Sequence, residues 1–356
     1  MSLRNTLGVW KHNTKTKVYR TAITQAIGFR TSRLIVFLTP SHDGPSGGVI
    51  SIAALYRETQ ALQELHGSRV VLCTVPGDPP LLKYTWFKNN NYLLDFEALL
   101  NRCGQLDYLL VHIPEYAVSK VGAWLSSHAS SLKNIKELHF NVLVQNIDLG
   151  QEQDLPALKR FGKVTCTTAH EAYTNAATRE QLGVTLHRLS CCNGPERYSP
   201  LRYEDKQPLL MVSHDPHPLK ERVLHQIKEA LPALRIQVIQ NLKWEEYYEV
   251  ARQAKWSLTF GEGLDGYFTD LVFSGGVAFA VFNTRYFTPP FAKLETVYPS
   301  WDVLIERITS DLRRLDEPVA YKRCSGQAWE LLNELYSTER FRENLRAFYR
   351  GEYTFP

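Results

Sequence analysis

Short apolar runs of strand length alternate along this chain with longer stretches whose apolar residues recur at helical spacing. The runs are Leu34–Pro40, Arg69–Val75, Asp107–Ile113, His139–Ile147, Lys163–Ala169 and Val184–Cys191 in the first half. Pro208–Val212, Arg235–Gln240, Trp256–Phe260 and Val277–Phe282 follow in the second. Between them the spacing predicts helices over Val49–His66, Tyr92–Cys103, Val118–Leu132, Leu155–Phe161 and Ala172–Leu182. Leu219–Leu231, Trp244–Ala254, Tyr267–Ser274, Trp301–Leu315 and a long Gln327–Tyr349 complete the set. In Val49–His66, for example, Ile52, Leu55, Tyr56, Thr59 and Leu62 share one face. Strand and helix in strict alternation predict parallel sheets covered by helices on both faces. The turn-forming, charged stretch Asn193–Gln207 has no periodicity and divides the chain.

A chain of 356 residues with 44% hydrophobic and 22% charged residues has room for two domains with their own cores. Its six cysteines form no C-x-x-C pair and no metal spacing, so they read as reduced thiols of a cytoplasmic protein. No apolar run reaches the roughly 18 residues of a membrane span, and no signal-peptide core opens the chain. The charge is uneven. Residues 1–42 hold no acid but carry Arg4, Lys11, Lys15, Lys17, Arg20, Arg30 and Arg33. Such an arm predicts an acidic partner, either an anionic membrane face or a phosphorylated substrate. With no RNP, zinc-finger or helix-turn-helix pattern, nucleic acid is left out of the expected partners.

Candidate chemistry sits at strand ends, because ligands of parallel sheets bind beyond the carboxyl edge near a switch in strand order. That rule selects His42, His112, Glu115, Gln145, Asn146 and His170 from the first half. Two strand–helix junctions are rich in glycine. One is Ser41–Gly48, with Gly44, Gly47 and Gly48; the other follows Phe260, with Gly261, Glu262, Gly263, Leu264, Asp265 and Gly266. Bare backbone N–H groups and a helix start suit a phosphate. Glu262 and Asp270 bracket the second loop, and their charge matches them to hydroxyls rather than to phosphate.

This second stretch resembles the donor-binding signature of retaining GT-B glycosyltransferases of the large family four type. The family pattern is Glu, seven residues, Glu; here it stands as Glu262-GLDGYFT-Asp270, with Asp in the second place. The Gly47-Gly48 pair is similar to the family's first glycine loop. Ser213–Arg222 resembles its diphosphate-neutralising segment, with Lys220 matching the Lys and His214 standing near the place of the Arg. The resemblance implies a GT-B fold: two Rossmann-like, doubly wound parallel-sheet domains facing across a cleft. They would comprise residues 1–192 on the acceptor side, a linker 193–207, a nucleotide-sugar domain 208–330 and a C-terminal helix in 331–356 packing back on the first domain.

It implies transfer of a sugar from a nucleotide diphosphate sugar to a hydroxyl of a glycan or lipid-linked glycan, with retention, in surface polysaccharide synthesis. Glu262, Lys220 and His170 are the expected catalytic residues. Gly47, Gly48, His214, Gly263, Leu264, Asp265, Gly266 and Asp270 would hold the donor, with His112 and Asn146 lining the cleft. No metal and no cofactor are expected, since no DxD pair is present and fixed protein charges would replace the cation. Localisation would be cytoplasmic, with the arm touching the inner membrane face. A sugar-nucleotide epimerase of the same fold and a non-catalytic binding scaffold stand as alternatives.

Overall fold

The computed structural model describes residues 22–23, 25–26, 31–42, 46–80, 92–147 and 155–356. Gly44 and the basic residues of the arm up to Arg30 lie outside them. The chain forms two compact units. Unit 1 contains the chain up to Ala169, Asn175–Leu189 and Glu343–Pro356; unit 2 contains His170–Thr174 and Ser190–Arg342.

Unit 1 is built on a six-stranded sheet in the order β2-β1-β3-β4-β5-β6. The strands are β1 Arg33–Thr39, β2 Arg69–Thr74, β3 Leu106–Pro114, β4 Ile135–Val144, β5 Lys163–Thr168 and β6 Thr185–Arg188. Every pairing among them is parallel. β1 is buried from Leu34 to Thr39, as its unbroken apolar run requires. Strand β4 begins four positions before the predicted His139, because Ile135 and Glu137 pair with Leu106 and Tyr108 ahead of the apolar run. The pairing partner, not hydrophobicity, sets that end.

The interior of this sheet is threaded by a polar chain. Tyr108 donates to His139 Nδ1 (3.3 Å), and His139 Nε2 donates to Thr165 (2.9 Å). Thr165 donates to Asn141 Oδ1 (2.9 Å), whose amide donates to His112 Nδ1 (3.0 Å). His112 Nε2 meets Tyr349 (3.2 Å), and Tyr349 meets Thr59 (3.0 Å). The order works only with neutral imidazoles carrying the proton on Nε2. Burial depresses both ring pKa values, His139 to about 3 and His112 well below the ordinary range.

Unit 2 carries a five-stranded sheet in the order β11-β10-β9-β7-β8, again parallel throughout. Its strands are β7 Gln207–Val212, β8 Arg235–Val238, β9 Ala254–Leu258, β10 Val277–Val281 and β11 Val297–Tyr298. Trp256, Phe279, Tyr298, Leu304, Ile308 and Tyr321 are among its buried core. β11 has only two residues, too short for a periodicity to reveal. The predicted helix Gln327–Tyr349 is two helices, Pro318–Tyr336 and Thr338–Arg350, parted at Ser337. Ser337 is extended, at φ −60° and ψ 137°, and no longer helical. Among the described residues no helix is long and apolar enough to cross a membrane.

Candidate functional site

In unit 2 the chain leaves central β7 toward β8 and then returns to β9 on its other side. The carboxyl ends of β7 and β9 therefore form the switch point, where ligands of such sheets bind. Ser213 stitches the two ends together. Its N–H donates to Leu258 O (3.1 Å), and its hydroxyl accepts from Phe260 N (2.9 Å).

The glycine loop follows directly. Gly263 has φ +91°, and a Cβ there would stand 2.6 Å from the Phe287 ring and 3.1 Å from Val281 O, so only glycine fits. Thr259 accepts from Gly261 N (3.3 Å) and donates to the Asp265 carboxylate. Asp265 caps the helix Gly266–Phe273 by accepting from Phe268 N (3.2 Å), an arrangement worth about 1 kcal/mol. Burial lifts the Asp265 carboxyl to about 7, and the charges of Asp215 and Glu262 push it the same way. Asp215 leans on the loop: a Cβ on Gly261 would lie 2.8 Å from its Oδ2.

Glu262 is half-buried at the start of the loop. His170, from the unit 2 segment His170–Thr174, is buried against Tyr173 and Tyr286, with ring centroids 5.6 and 5.4 Å away. Burial takes its pKa down to about 4, so the imidazole is neutral at physiological pH. Tyr336 connects these groups. Its hydroxyl lies 3.4 Å from His170 Nδ1. Burial first, then Cys191 and the carboxylates of Glu262, Asp265 and Glu171, raise its pKa well above the usual tyrosine value.

Other expected residues are placed differently. Lys220, predicted to face the diphosphate, is buried, and its ammonium donates to Ser213 O (2.7 Å) and Asp215 O (3.2 Å). It clamps the turn after β7, because a cation sunk here satisfies itself on backbone carbonyls. His214 is exposed, with its ring 3.4 Å from the Tyr267 hydroxyl. Leu264 is buried, and Gly266 opens the helix. Asp270 is also buried: its Oδ1 accepts from Tyr198 (2.6 Å), Asn193 (3.0 Å) and Thr269 (3.3 Å). Sequence reasoning read Asn193–Gln207 as a plain linker and so missed Asn193 and Tyr198. Their only signal was a turn-rich start.

Unit 1 has its own switch point, between β1 and β3. Ser46 caps the helix Gly47–Ala61 by accepting from Val49 N (3.3 Å). A Cβ on Gly48 would lie 2.5 Å from Gln145 Oε1, and the Gln145 amide donates to Gly48 O (3.3 Å). The Glu115 carboxylate accepts from the backbone N–H of Gln145 and of Asn146, both at 3.3 Å. Gly48, Glu115, Gln145 and Asn146 are thus one hydrogen-bonded group, with Gly47 beside it. His112, expected to line the cleft, is instead sealed inside the sheet with both nitrogens engaged. Among the described residues no group of three or more His, Cys, Asp or Glu could hold a metal ion.

No protein-family model and no curated protein sequence matches this chain. Solved structures do. An alpha-glucosyltransferase in complex with UDP-glucose and DNA containing an abasic site superposes with a TM-score of 0.61 at 12% identity, over 89% of this chain and 99% of that one. Sucrose-phosphate synthase from Thermosynechococcus elongatus gives 0.56 at 12% identity, over 90% and 98%. Anabaena HepE in complex with UDP-glucose gives 0.54 at 10% identity, over 89% and 99%. Identities this low carry the fold, and the fold is GT-B. The first of them also corrects an expectation. Nucleic acid was left out for want of a dedicated binding motif, yet an enzyme of this fold is seen with DNA.

Proposed function

We propose that this chain is a glycosyltransferase that takes a sugar from a nucleotide diphosphate sugar and passes it, with retention, to an acceptor hydroxyl. The observation that carries the reading is the unit 2 switch-point loop, where Glu262 and Gly263, the glycine at φ +91°, lead through Leu264 and Asp265 into a capped helix start. Backbone amides of this loop and the positive end of the helix would meet the charge that builds on the departing diphosphate. Glu262 would hold sugar hydroxyls, and neutral His170, set by Tyr336, would present a ring N–H to the sugar. Asp265, near half-protonated at neutrality, softens the negative field that a phosphate would meet there. The reaction takes no cofactor: what stabilises the leaving group is fixed protein dipole. Retention would come from attack by the acceptor on the face the diphosphate leaves, with no protein nucleophile.

The test is turnover against a panel of nucleotide sugars, with products read by mass spectrometry. Glu262→Ala should cost about a hundredfold in rate, of the order seen when one aimed polar group is removed, while the melting temperature holds. A variant that turns over like the parent removes the reading. A sugar altered with no acceptor present would instead identify an epimerase.

A surface glycan on a lipid carrier is the acceptor we favour, with the enzyme at the inner membrane face. A second acceptor, DNA, has a specific observation behind it: residues 1–42 carry Arg4, Lys11, Lys15, Lys17, Arg20, Arg30 and Arg33 and no acid. Labelled sugar appearing in duplex DNA or in a lipid-linked primer decides between them.

A further inference from the structure

We infer that Asp270 is a positioning residue, a latch that fastens the segment Cys192–Tyr198 to the nucleotide-site helix Gly266–Phe273, and is not a group that touches the nucleotide. The nucleotide part of this inference rests on the proposed function; the latch itself does not.

An acid eight positions after Glu262 is free to grip a ligand only if its oxygens face one. Asp270 is 4% exposed. Its Oδ1 already accepts from the Tyr198 hydroxyl, the Asn193 amide and Thr269. The Tyr247 side chain is close by, and its hydroxyl favours the charged form of the carboxylate. Oδ2 lies beside Gly266, where an added Cβ would stand 3.4 Å from it. Each carboxylate oxygen has about two acceptor positions, and the three donors from Tyr198, Asn193 and Thr269 fill those of Oδ1.

The partners say what the carboxylate is for. The Tyr198 hydroxyl stands 2.6 Å from Asn193 Oδ1 as well as from Asp270 Oδ1, so its one proton is shared between the two acceptors. Arg197 adds donations to Cys192 O at 2.5 Å and to Asn193 Oδ1 at 3.4 Å. Residues 192–198 thus form a knot of their own, and Asp270 pins it to the first turns of the helix. The shorter Asp suits this role. A Glu would carry its carboxylate one bond further, into the space the tyrosine hydroxyls and Gly266 occupy.

The experiment compares Asp270→Glu, Asp270→Asn, Asn193→Ala and the double variant Asp270→Asn/Asn193→Ala in the full chain. Melting temperature is one readout. The other is the ratio of Kd values for uridine diphosphate and its 2′-deoxy form. A latch predicts that Asp270→Glu lowers the melting temperature, and that the double variant is little worse than the poorer single one. It also predicts that Asp270→Asn leaves the ribo-to-deoxy ratio within about twofold of the parent, the scatter expected of uncoupled sites. The inference is overturned if Asp270→Glu keeps its melting temperature and binds the nucleotide at least as tightly. A ratio that collapses to one in Asp270→Asn overturns it too. Should the parent bind neither nucleotide, the proposed function is in trouble, while the melting temperatures still decide the latch.

Discussion

The two units share an architecture and differ in what they bury. Each is a parallel sheet with a switch point, and each switch point has glycines leading into a capped helix. Inside unit 1 the buried polar groups are imidazoles, amides and hydroxyls in a donor-to-acceptor chain that ends on the C-terminal segment. Inside unit 2 they include the carboxylates of Asp265 and Asp270, bonded by hydroxyls and amides at the loop and the helix after it, and the buried ammonium of Lys220. Both units hold their own chain with such groups, and those of unit 2 stand beside the switch-point loop. The same architecture thus carries its buried titratable groups in different places in the two units.

Phe348 offers the strongest test on the unit 1 side. It is 3% exposed and packs against His112, His139 and His187 at centroid distances of 5.6, 6.2 and 5.9 Å. Phe348→Ala should destabilise unit 1 by about 3–5 kcal/mol, the usual cost of emptying a large aromatic site. Hydrogen exchange resolved along the chain checks it. Equal loss of protection in both units would mean that the C-terminal segment is not specific to unit 1.

The glycines sharpen the contrast at the loops themselves. Gly263→Ala forces a Cβ into a left-handed residue and onto the Phe287 ring, for roughly 1–3 kcal/mol and a loss of nucleotide binding. Gly47→Ala meets nothing within 4 Å at an ordinary helix start and should be neutral or slightly stabilising, by a few tenths of a kcal/mol. Denaturant midpoints of the two variants measure the difference. If both fall alike, the loops are under the same constraint and the distinction fails.

Much of this was legible beforehand, for identifiable reasons. Buried parallel strands tend to be continuous apolar runs, so β1, β3 and β10 stand out, and Gly263 and Asp265 declare a loop and a cap by residue type alone. The alternation therefore led to parallel sheets covered by helices, and the resemblance of Glu262–Asp270 led to the GT-B fold. What stayed hidden depends on side-chain direction and long-range partners. Lys220 matches a motif position, yet whether its ammonium turns to ligand or to Ser213 O is set by folding. His112 ends an apolar strand as a ligand residue would, but its neighbour across the sheet is Asn141, which alternation cannot reveal. Asn193 and Tyr198 lie over seventy residues from Asp270, and only tertiary structure joins them.

Titration should pull the units in opposite directions. His66, His112, His139 and His187 have folded pKa values depressed chiefly by burial. For a depressed base the neutral form belongs to the folded state, so stability is present above the unfolded value, about 6.5, and is lost as pH falls below it. Glu115 opposes this within unit 1, since burial raises its pKa. Asp265 behaves the other way: raised to about 7, it withdraws stability as pH climbs from its unfolded value, about 4, through 7. His170 and His217 pull unit 2 the same way as the unit 1 histidines but are fewer. Exchange protection should thus fail first in unit 1 on the acid side, and Asp265→Asn should flatten the loss in unit 2 as pH rises from about 4 to 7. Loss of both units together at acid pH would break the contrast.

The smallest effect concerns ion pairs, one per unit at similar length. Lys120 meets Asp78 at 2.6 Å in unit 1, with side chains 48% and 32% exposed. Lys255 meets Asp316 at 2.7 Å in unit 2, but Lys255 is only 11% exposed and its ammonium stands 3.9 Å from the centre of the Tyr203 ring. Water screens the first pair, and ordering two long side chains offsets most of its attraction. The second pair is shielded on one side by an aromatic face, which adds roughly 0.5–1 kcal/mol where it stays partly wet. Lys120→Ala should therefore shift stability by less than about 0.5 kcal/mol, and Lys255→Ala by about 1–2 kcal/mol, part of it from leaving Tyr203 and Asp316 without their cation. Denaturation at low and high salt separates the causes. Salt should erase the Lys120 effect and leave most of the Lys255 effect, because packing against a ring does not depend on ionic strength. If salt erases both, Lys255 is an ordinary surface charge, and proximity to the ring contributes nothing.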